Sequence, residues 1–200
     1  MIYCFGDSHV RIFSGANLQH TLLSPSFTAQ SSYLNQQLDN AINNIKFQEG
    51  DFLLLCFGEI DIRMHISKYS IENDKIDIEK MNFYIDQVII NYLKTIDKFS
   101  KTANIIIYMP TASYLPTVID EYTHGTTQQR NFITKEFIKR LIIELDVKNI
   151  KHVSIFENMI DEELNTKPET LEGIGNSNIH ANTGLINILQ QQLQVLQWKT

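Results

Sequence analysis

Ser8 follows Gly6 and Asp7 at the end of the apolar run Ile2 to Phe5, and His180 stands in the polar stretch Gly175-Asn176-Ser177-Asn178-Ile179-His180-Ala181-Asn182. A serine hydroxyl is a poor nucleophile until a base takes its proton, and histidine is the side chain best suited to do so near neutral pH. The pair is therefore a candidate nucleophile and base for acyl transfer, provided the fold brings the front of the chain to its back. Glycine at position 6 lets the chain turn sharply as the run ends, presenting Ser8 at the carboxyl edge of a strand. If a helical turn starts there, the Ser8 amide and the positive end of that turn stabilise an oxyanion on an attacked carbonyl. The same Asp and Ser also make an ordinary helix cap, so the triplet alone does not decide.

The elements that must position these groups are readable from periodicity. Compact apolar runs at Ile2 to Phe5, Phe52 to Phe57, Asn104 to Met109 and His152 to Phe156 read as buried strands. Between them lie stripes at helical spacing: Leu34, Leu38, Ile42 and Ile45 behind the capping candidates Ser31 and Ser32; Met81, Ile85, Val88, Tyr92, Ile96 and Phe99; then Ile133, Phe137, Leu141 and Leu145. A last stripe, Leu185, Leu189, Leu193 and Leu196, follows the capping candidate Asn182. This alternation predicts an α/β fold with a parallel sheet and helices on both faces. The segment Ser14 to Thr28 reads as a loop, with a weak strand pattern near Phe27. Pro110 and Pro116 predict a wide loop after the third strand, at the edge where open α/β sheets hold ligands. Within that loop, from Thr111 to Gly125, Tyr114 and Tyr122 are candidate walls for a sugar or acyl group.

Composition bounds the function classes. With 200 residues, 43% of them hydrophobic and 20% charged, the chain reads as one domain over residues 1–200 without repeat or linker. A net charge of -6 argues against nucleic acid as a partner, because phosphate affinity comes from clustered Lys and Arg. The longest apolar runs fall far short of the roughly 20 residues that cross a bilayer. The opening Met1-Ile2-Tyr3-Cys4-Phe5-Gly6 lacks the basic and long apolar regions of a secretory signal, so a cytoplasmic location is expected. Cys4 and Cys56 lie inside apolar runs and are expected to be buried, reduced thiols. His20, His65, His124 and His152 are dispersed, without metal-ligand spacing, so no metal site is expected.

Gly6-Asp7-Ser8 near the amino terminus, with a histidine just before the last helix, resembles the SGNH/GDSL hydrolase superfamily. The chain also resembles a narrower bacterial group whose opening reads Gly-Asp-Ser-His and whose next central strand ends in Phe-Gly-Glu-Ile-Asp followed by Arg. Here that is Phe57-Gly58-Glu59-Ile60-Asp61 and Arg63, with His65 beyond, and Gly125-Thr126 through Arg130 is similar to that group's helix entry. The resemblance implies a three-layer α/β/α fold with a flavodoxin-like parallel sheet and the reaction of an esterase, lipase or O-acyltransferase. It implies no metal or organic cofactor. Ser8 matches the nucleophile and one oxyanion donor, Gly58 the glycine of the third motif, and His180 the base. The substrate it implies is a small acyl ester, acetyl being one candidate, linked to carbohydrate in surface-polysaccharide metabolism.

Three positions depart from that pattern. Ile60 stands where an asparagine would donate to the oxyanion, and the segment Ser26 to Ser31 offers no glycine for the second motif, Gly15 lying too early. Ser177 stands where an aspartate would orient the imidazole. Losing one oxyanion donor costs a hundredfold or more in rate, roughly 3 kcal/mol. Arg63 could supply a charged donor instead, and Asn178 or a backbone carbonyl could hold His180 in a Ser-His dyad. Glu59, Asp61 and Arg63 read either as substrate contacts or as an ion-pair network bracing the strand exit. Asp7 and His9 flank Ser8; His9 either lines the pocket or lies on the surface. Two function classes follow: a serine hydrolase or acyltransferase, passing the acyl group to water or a sugar hydroxyl, or a binding module that keeps the fold without its oxyanion hole.

Overall fold

The computed structural model describes residues 1–15, 19–22, 29, 34–43, 45–113, 124–172 and 180–197. Five strands, β1 (Ile2–Gly6), β2 (Gln19–Leu22), β3 (Phe52–Cys56), β6 (Asn104–Tyr108) and β7 (Lys151–Val153), form one sheet in the order β2-β1-β3-β6-β7. Every pairing in it is parallel. A two-stranded antiparallel ribbon, β4 (Ile71–Glu72) with β5 (Lys75–Ile76), lies outside it. The helices are α1 (Leu34–Ile42), α2 (Ser67–Ser70), α3 (Ile78–Phe99), α4 (Thr127–Val147), α5 (Phe156–Met159) and α6 (Ile186–Gln197).

All five residues of β3 are buried, because a central parallel strand is covered on both faces; hence its unbroken Phe-Leu-Leu-Leu-Cys run. Helix α3 contacts α4, and α6 contacts the 3-10 helix Ser8–Gly15, the grouping expected when right-handed crossovers set α1, α3 and α4 on one face and α6 with the 3-10 helix on the other. Side-chain pairs run as this demands: Lys98 of α3 reaches Asp39 of α1, and Arg140 of α4 lies 2.8 Å from Asp86 of α3. The result is a three-layer α/β/α fold. Met81, Ile85, Val88, Tyr92, Ile96 and Phe99 of α3, and Ile133, Phe137, Leu141 and Leu145 of α4, are buried against the sheet, as their spacing predicts.

Boundaries differ from the sequence reading in explicable ways. The segment read as a loop contains β2, an edge strand paired with β1 from Tyr3–Gln19 to Gly6–Leu22. Phe27, where a strand pattern was noted, lies outside the described residues, as do Ser31 and Ser32. Of the fourth run only His152 and Val153 are strand, β7 starting one residue earlier at Lys151 and α5 opening at Phe156. Helix α3 starts three residues before Met81, capped by the Asp77 side chain accepting from the Lys80 amide at 3.0 Å. Helix α4 opens with a capping box between Thr126 and Gln129. Asn182 caps the 3-10 turn Thr183–Leu185 rather than α6, its Oδ1 accepting from the Gly184 amide at 2.7 Å.

The order 2-1-3 at one end of the sheet makes a topological switch point between β1 and β3. There the connections leave in opposite directions and open a crevice at the carboxyl ends of the strands. Ser8 and Gly58 follow those two strands.

Candidate active site

Two glycines shape the crevice for different reasons. A Cβ on Gly6 would meet the Cys56 carbonyl oxygen at 2.5 Å and the Cys56 Cβ at 2.6 Å, so the close approach of β1 to β3 admits no side chain. Gly58 has φ +115°, and a Cβ there would meet the Pro110 ring at 2.9 Å. The first glycine keeps the strands in register; the second turns the chain from β3 into the helical segment 59–70. The middle of that segment, Asp61–Ile66, is a π-helix, a form found often at functional sites.

Beyond Gly6 the chain is pinned at once, the Asp7 amide donating to the Cys56 carbonyl at 3.2 Å and the Val10 amide to the Asp7 carbonyl at 3.1 Å. Ser8 opens the 3-10 helix and is largely buried. His180 enters from the far end of the sequence. Its carbonyl accepts from the Glu172 amide at 2.9 Å, and Leu171 bridges Ala181 in antiparallel fashion, which fixes the strand-like entry to the last helix. The His180 ring packs on that of His9, centroids 5.2 Å apart and planes tilted 56°. The fold therefore brings the histidine from the end of the chain against the residue beside Ser8.

His180 Nε2 is buried with no hydrogen-bond partner among the described residues. Burial, followed by the nearby charges of His9 and Arg11, moves its pKa below the ordinary imidazole value, against the opposing pull of Glu172 and Glu59. Ser177 and Asn178, named as supports for this ring, lie outside the described residues.

The carboxylates make their bonds elsewhere. Asp7 Oδ1 accepts from the His9 amide at 2.9 Å and lies 2.9 Å from His9 Nδ1. On the other side of the same ring, Glu59 Oε2 is 3.9 Å from His9 Nε2, while Glu59 Oε1 accepts from Arg63 Nε at 2.8 Å. Asp7, His9, Glu59 and Arg63 thus form one chain of alternating charge capacity. Burial works to raise the Glu59 pKa, but the charges of Arg63 and His9, with the Arg63 hydrogen bond and Arg130, outweigh it and hold the carboxyl below its ordinary range. Asp61 is fully buried, and its Oδ2 accepts from the Ala29 amide at 2.6 Å, tying the segment after β2 to the switch point. Of the two roles open to Glu59, Asp61 and Arg63, these bonds are of the bracing kind. Ile60 is buried.

Arg130 was noted only as part of a helix entry, yet it is a buried organiser of the third side of the crevice. Its Nε donates to Ser113 Oγ at 2.9 Å, and its Nη1 and Nη2 donate to the Gly125 carbonyl and Thr127 Oγ1. Asn131 accepts from the Ser113 amide at 2.8 Å and donates to Thr166 Oγ1 at 2.8 Å, so the chain after β6 is held from both sides. Tyr114 and Tyr122 lie outside the described residues. A small cavity at the ends of β1, β3 and β6 is lined by Asp7, His9, Glu59, Tyr108, Pro110 and Thr111 among others. A larger groove at β7 with α6 is lined by His152 and Ser154 among others, but Ser154 Oγ accepts from the Phe156 amide at 3.2 Å and His152 Nε2 lies 3.4 Å from Asp146 Oδ1. A groove between α3 and α4 is lined by Asp86, Arg140 and Glu144 with apolar residues.

Cys4 and Cys56 are buried free thiols; burial pushes Cys4 up to about 12 and Cys56 well above its ordinary value. Among the described residues no group of three or more His, Cys, Asp or Glu side chains could hold a metal ion, and no helix is long and apolar enough to cross a membrane.

No protein-family model matches the chain, and comparison with curated proteins finds none with significant similarity. Solved structures do match. A GDSL-like lipase from Bacteroides thetaiotaomicron superposes with a TM-score of 0.65 at 11% identity, over 99% of this chain and 87% of that one. A member of the lipolytic G-D-S-L family from Veillonella parvula gives 0.56 at 14%, over 96% and 94%. The OSK domain of Drosophila Oskar gives 0.55 at 10%, over 96% and 86%. The likeness is one of fold: this chain has the three-layer architecture on which these proteins are built.

Proposed function

We propose that residues 1–200 form one SGNH/GDSL-type domain that hydrolyses or transfers a small acyl ester, with Ser8 as nucleophile and His180 as base. The observation that carries this reading is the packing of the His180 ring on His9, next to Ser8, at the β1/β3 switch point. In the reaction Ser8 Oγ attacks the ester carbonyl as His180 takes its proton, and the imidazolium returns that proton to the departing alkoxide. Water, or a sugar hydroxyl, then repeats the sequence on the acyl-serine ester and regenerates Ser8. A His180 that stays neutral is ready to accept the proton. Proteins with related folds carry lipase and lipolytic names, which supports ester chemistry; acetyl as the acyl group and a carbohydrate carrier rest on the sequence resemblance, and a cytoplasmic setting on the character of residues 1–6.

A second reading, a binding module on the same fold, has its own support. Ile60 is buried and apolar where a donor to the oxyanion is needed, and the carboxylate of Asp7 is bonded to His9. Turnover of p-nitrophenyl acetate separates the two: the enzyme reading expects hydrolysis by the wild type that falls at least a hundredfold in Ser8→Ala. Equal rates in both proteins favour the binding module.

A further inference from the structure

His9 is the buried residue that the proposed mechanism leaves without a task. It sits between two buried carboxylates, Asp7 Oδ1 at 2.9 Å from Nδ1 and Glu59 Oε2 at 3.9 Å from Nε2. Glu59 has Arg63 as a further partner through Oε1, while Glu59 Oε2 and Asp7 Oδ2 both have no hydrogen-bond partner among the described residues. Arg63 and Arg130 offset the charge of Glu59, whereas Asp7 makes its bonds to His9. The sum at Asp7 would be left negative in low dielectric, which is costly, and a protonated imidazole bonded to it brings that sum to zero. Cys56 and Tyr108, on the same cavity, do not alter that sum, because burial pushes both well above their ordinary values and keeps them neutral.

Resting on the assignment of His180 as base, we propose that His9 is a positioning residue: an imidazolium clamped by Asp7 and Glu59 that packs on the His180 ring and holds it in the neutral, proton-accepting form. The charged groups acting on His180 are His9 and Arg11 from the 3-10 helix after β1, Glu59 from the segment after β3, and Glu172 from the segment before the last helix. Two cations and two anions oppose each other, and the His9 ring lies directly against that of His180, centroids 5.2 Å apart. The consequence is the reverse of a carboxylate-assisted base. A cation beside His180 makes it less basic and lets it work at lower pH, while its charged form is disfavoured. At about 5 Å and an effective dielectric between protein and water values, the interaction is worth on the order of one pH unit.

The test is a nitrogen-15 NMR titration of the histidine rings in the full chain, with His180→Gln to assign the His180 signals. Wild type is expected to show both His9 nitrogens protonated at neutral pH and a His180 midpoint below the ordinary imidazole value. In His9→Gln the His180 midpoint should rise by about one unit, and the acid limb of kcat/KM should rise with it. A singly protonated His9 in wild type, or an unchanged His180 midpoint in folded His9→Gln, overturns the inference. Should His9→Gln fail to fold, the wild-type His9 signature decides alone. A protein with no esterase activity but with these NMR results refutes the hydrolase reading and leaves the His9 clamp standing.

Discussion

Asp7 hydrogen-bonds His9 and not His180: its Oδ1 lies 2.9 Å from both the backbone nitrogen and Nδ1 of His9, two residues on. Asp7, one residue before Ser8, thus holds the His9 imidazole, whose ring lies against that of His180 with centroids 5.2 Å apart. This relationship ties the electrostatics of the site to the turn that presents Ser8.

Glu59 should make stability depend on pH. Its folded pKa is depressed, so the folded state favours the ionised form; the stability this supplies is full above the ordinary carboxylate range and is lost as pH falls through the folded value. Glu59→Gln leaves Arg63 without its carboxylate, and breaking such a pair costs about 3 kcal/mol at neutral pH. Urea unfolding at pH 7 and pH 4 should show the gap from wild type narrowing on the acid side.

Gly6→Ala should weaken the join of β1 to β3. The new methyl would meet a backbone carbonyl at 2.5 Å, and neither strand can yield without losing ladder hydrogen bonds. A loss of about 2 to 3 kcal/mol is expected from such overpacking, read as a lower urea midpoint with Ser8 chemistry reduced in parallel.

Asp61→Ala strands the Ala29 amide, which donates to Asp61 Oδ2 at 2.6 Å. An unsatisfied buried donor costs about 1 to 3 kcal/mol. Asp61→Asn keeps an acceptor oxygen and should recover part of the loss in the same unfolding measurement; an equal loss in both variants would show that the charge, rather than the hydrogen bond, is what matters.

Cys4 and Cys56 should resist thiol reagents in the folded protein, since burial both hides them and suppresses the reactive thiolate. A chromogenic disulfide reagent should register two thiols in denaturant and essentially none without it.

Much of the fold was legible in the sequence because central parallel strands must be apolar on both faces: β1, β3 and β6 announce themselves as unbroken runs. Strand β2 was not legible, since Gln19-His20-Thr21-Leu22 at a sheet edge needs only one partner, and its pairing with β1 is set by tertiary context. In the site, one of the two readings of Glu59, Asp61 and Arg63 was an ion-pair network at the strand exit; Glu59 and Arg63 do pair, although the helical segment that sets them at i,i+4 was not read from the sequence. The roles of His9 and Arg130 were not readable. Each depends on partners from separate elements: Glu59 and His180 on one side, Ser113 and the Gly125 turn on the other.

The most direct measurement is covalent: incubation with a fluorophosphonate probe, followed by peptide mapping in the mass spectrometer. The proposed chemistry predicts one adduct, on Ser8, absent from Ser8→Ala and formed at least a hundredfold more slowly in His180→Ala. A wild-type protein that takes no adduct, or takes it on another residue with Ser8 untouched, contradicts the assignment of Ser8 and His180 as nucleophile and base.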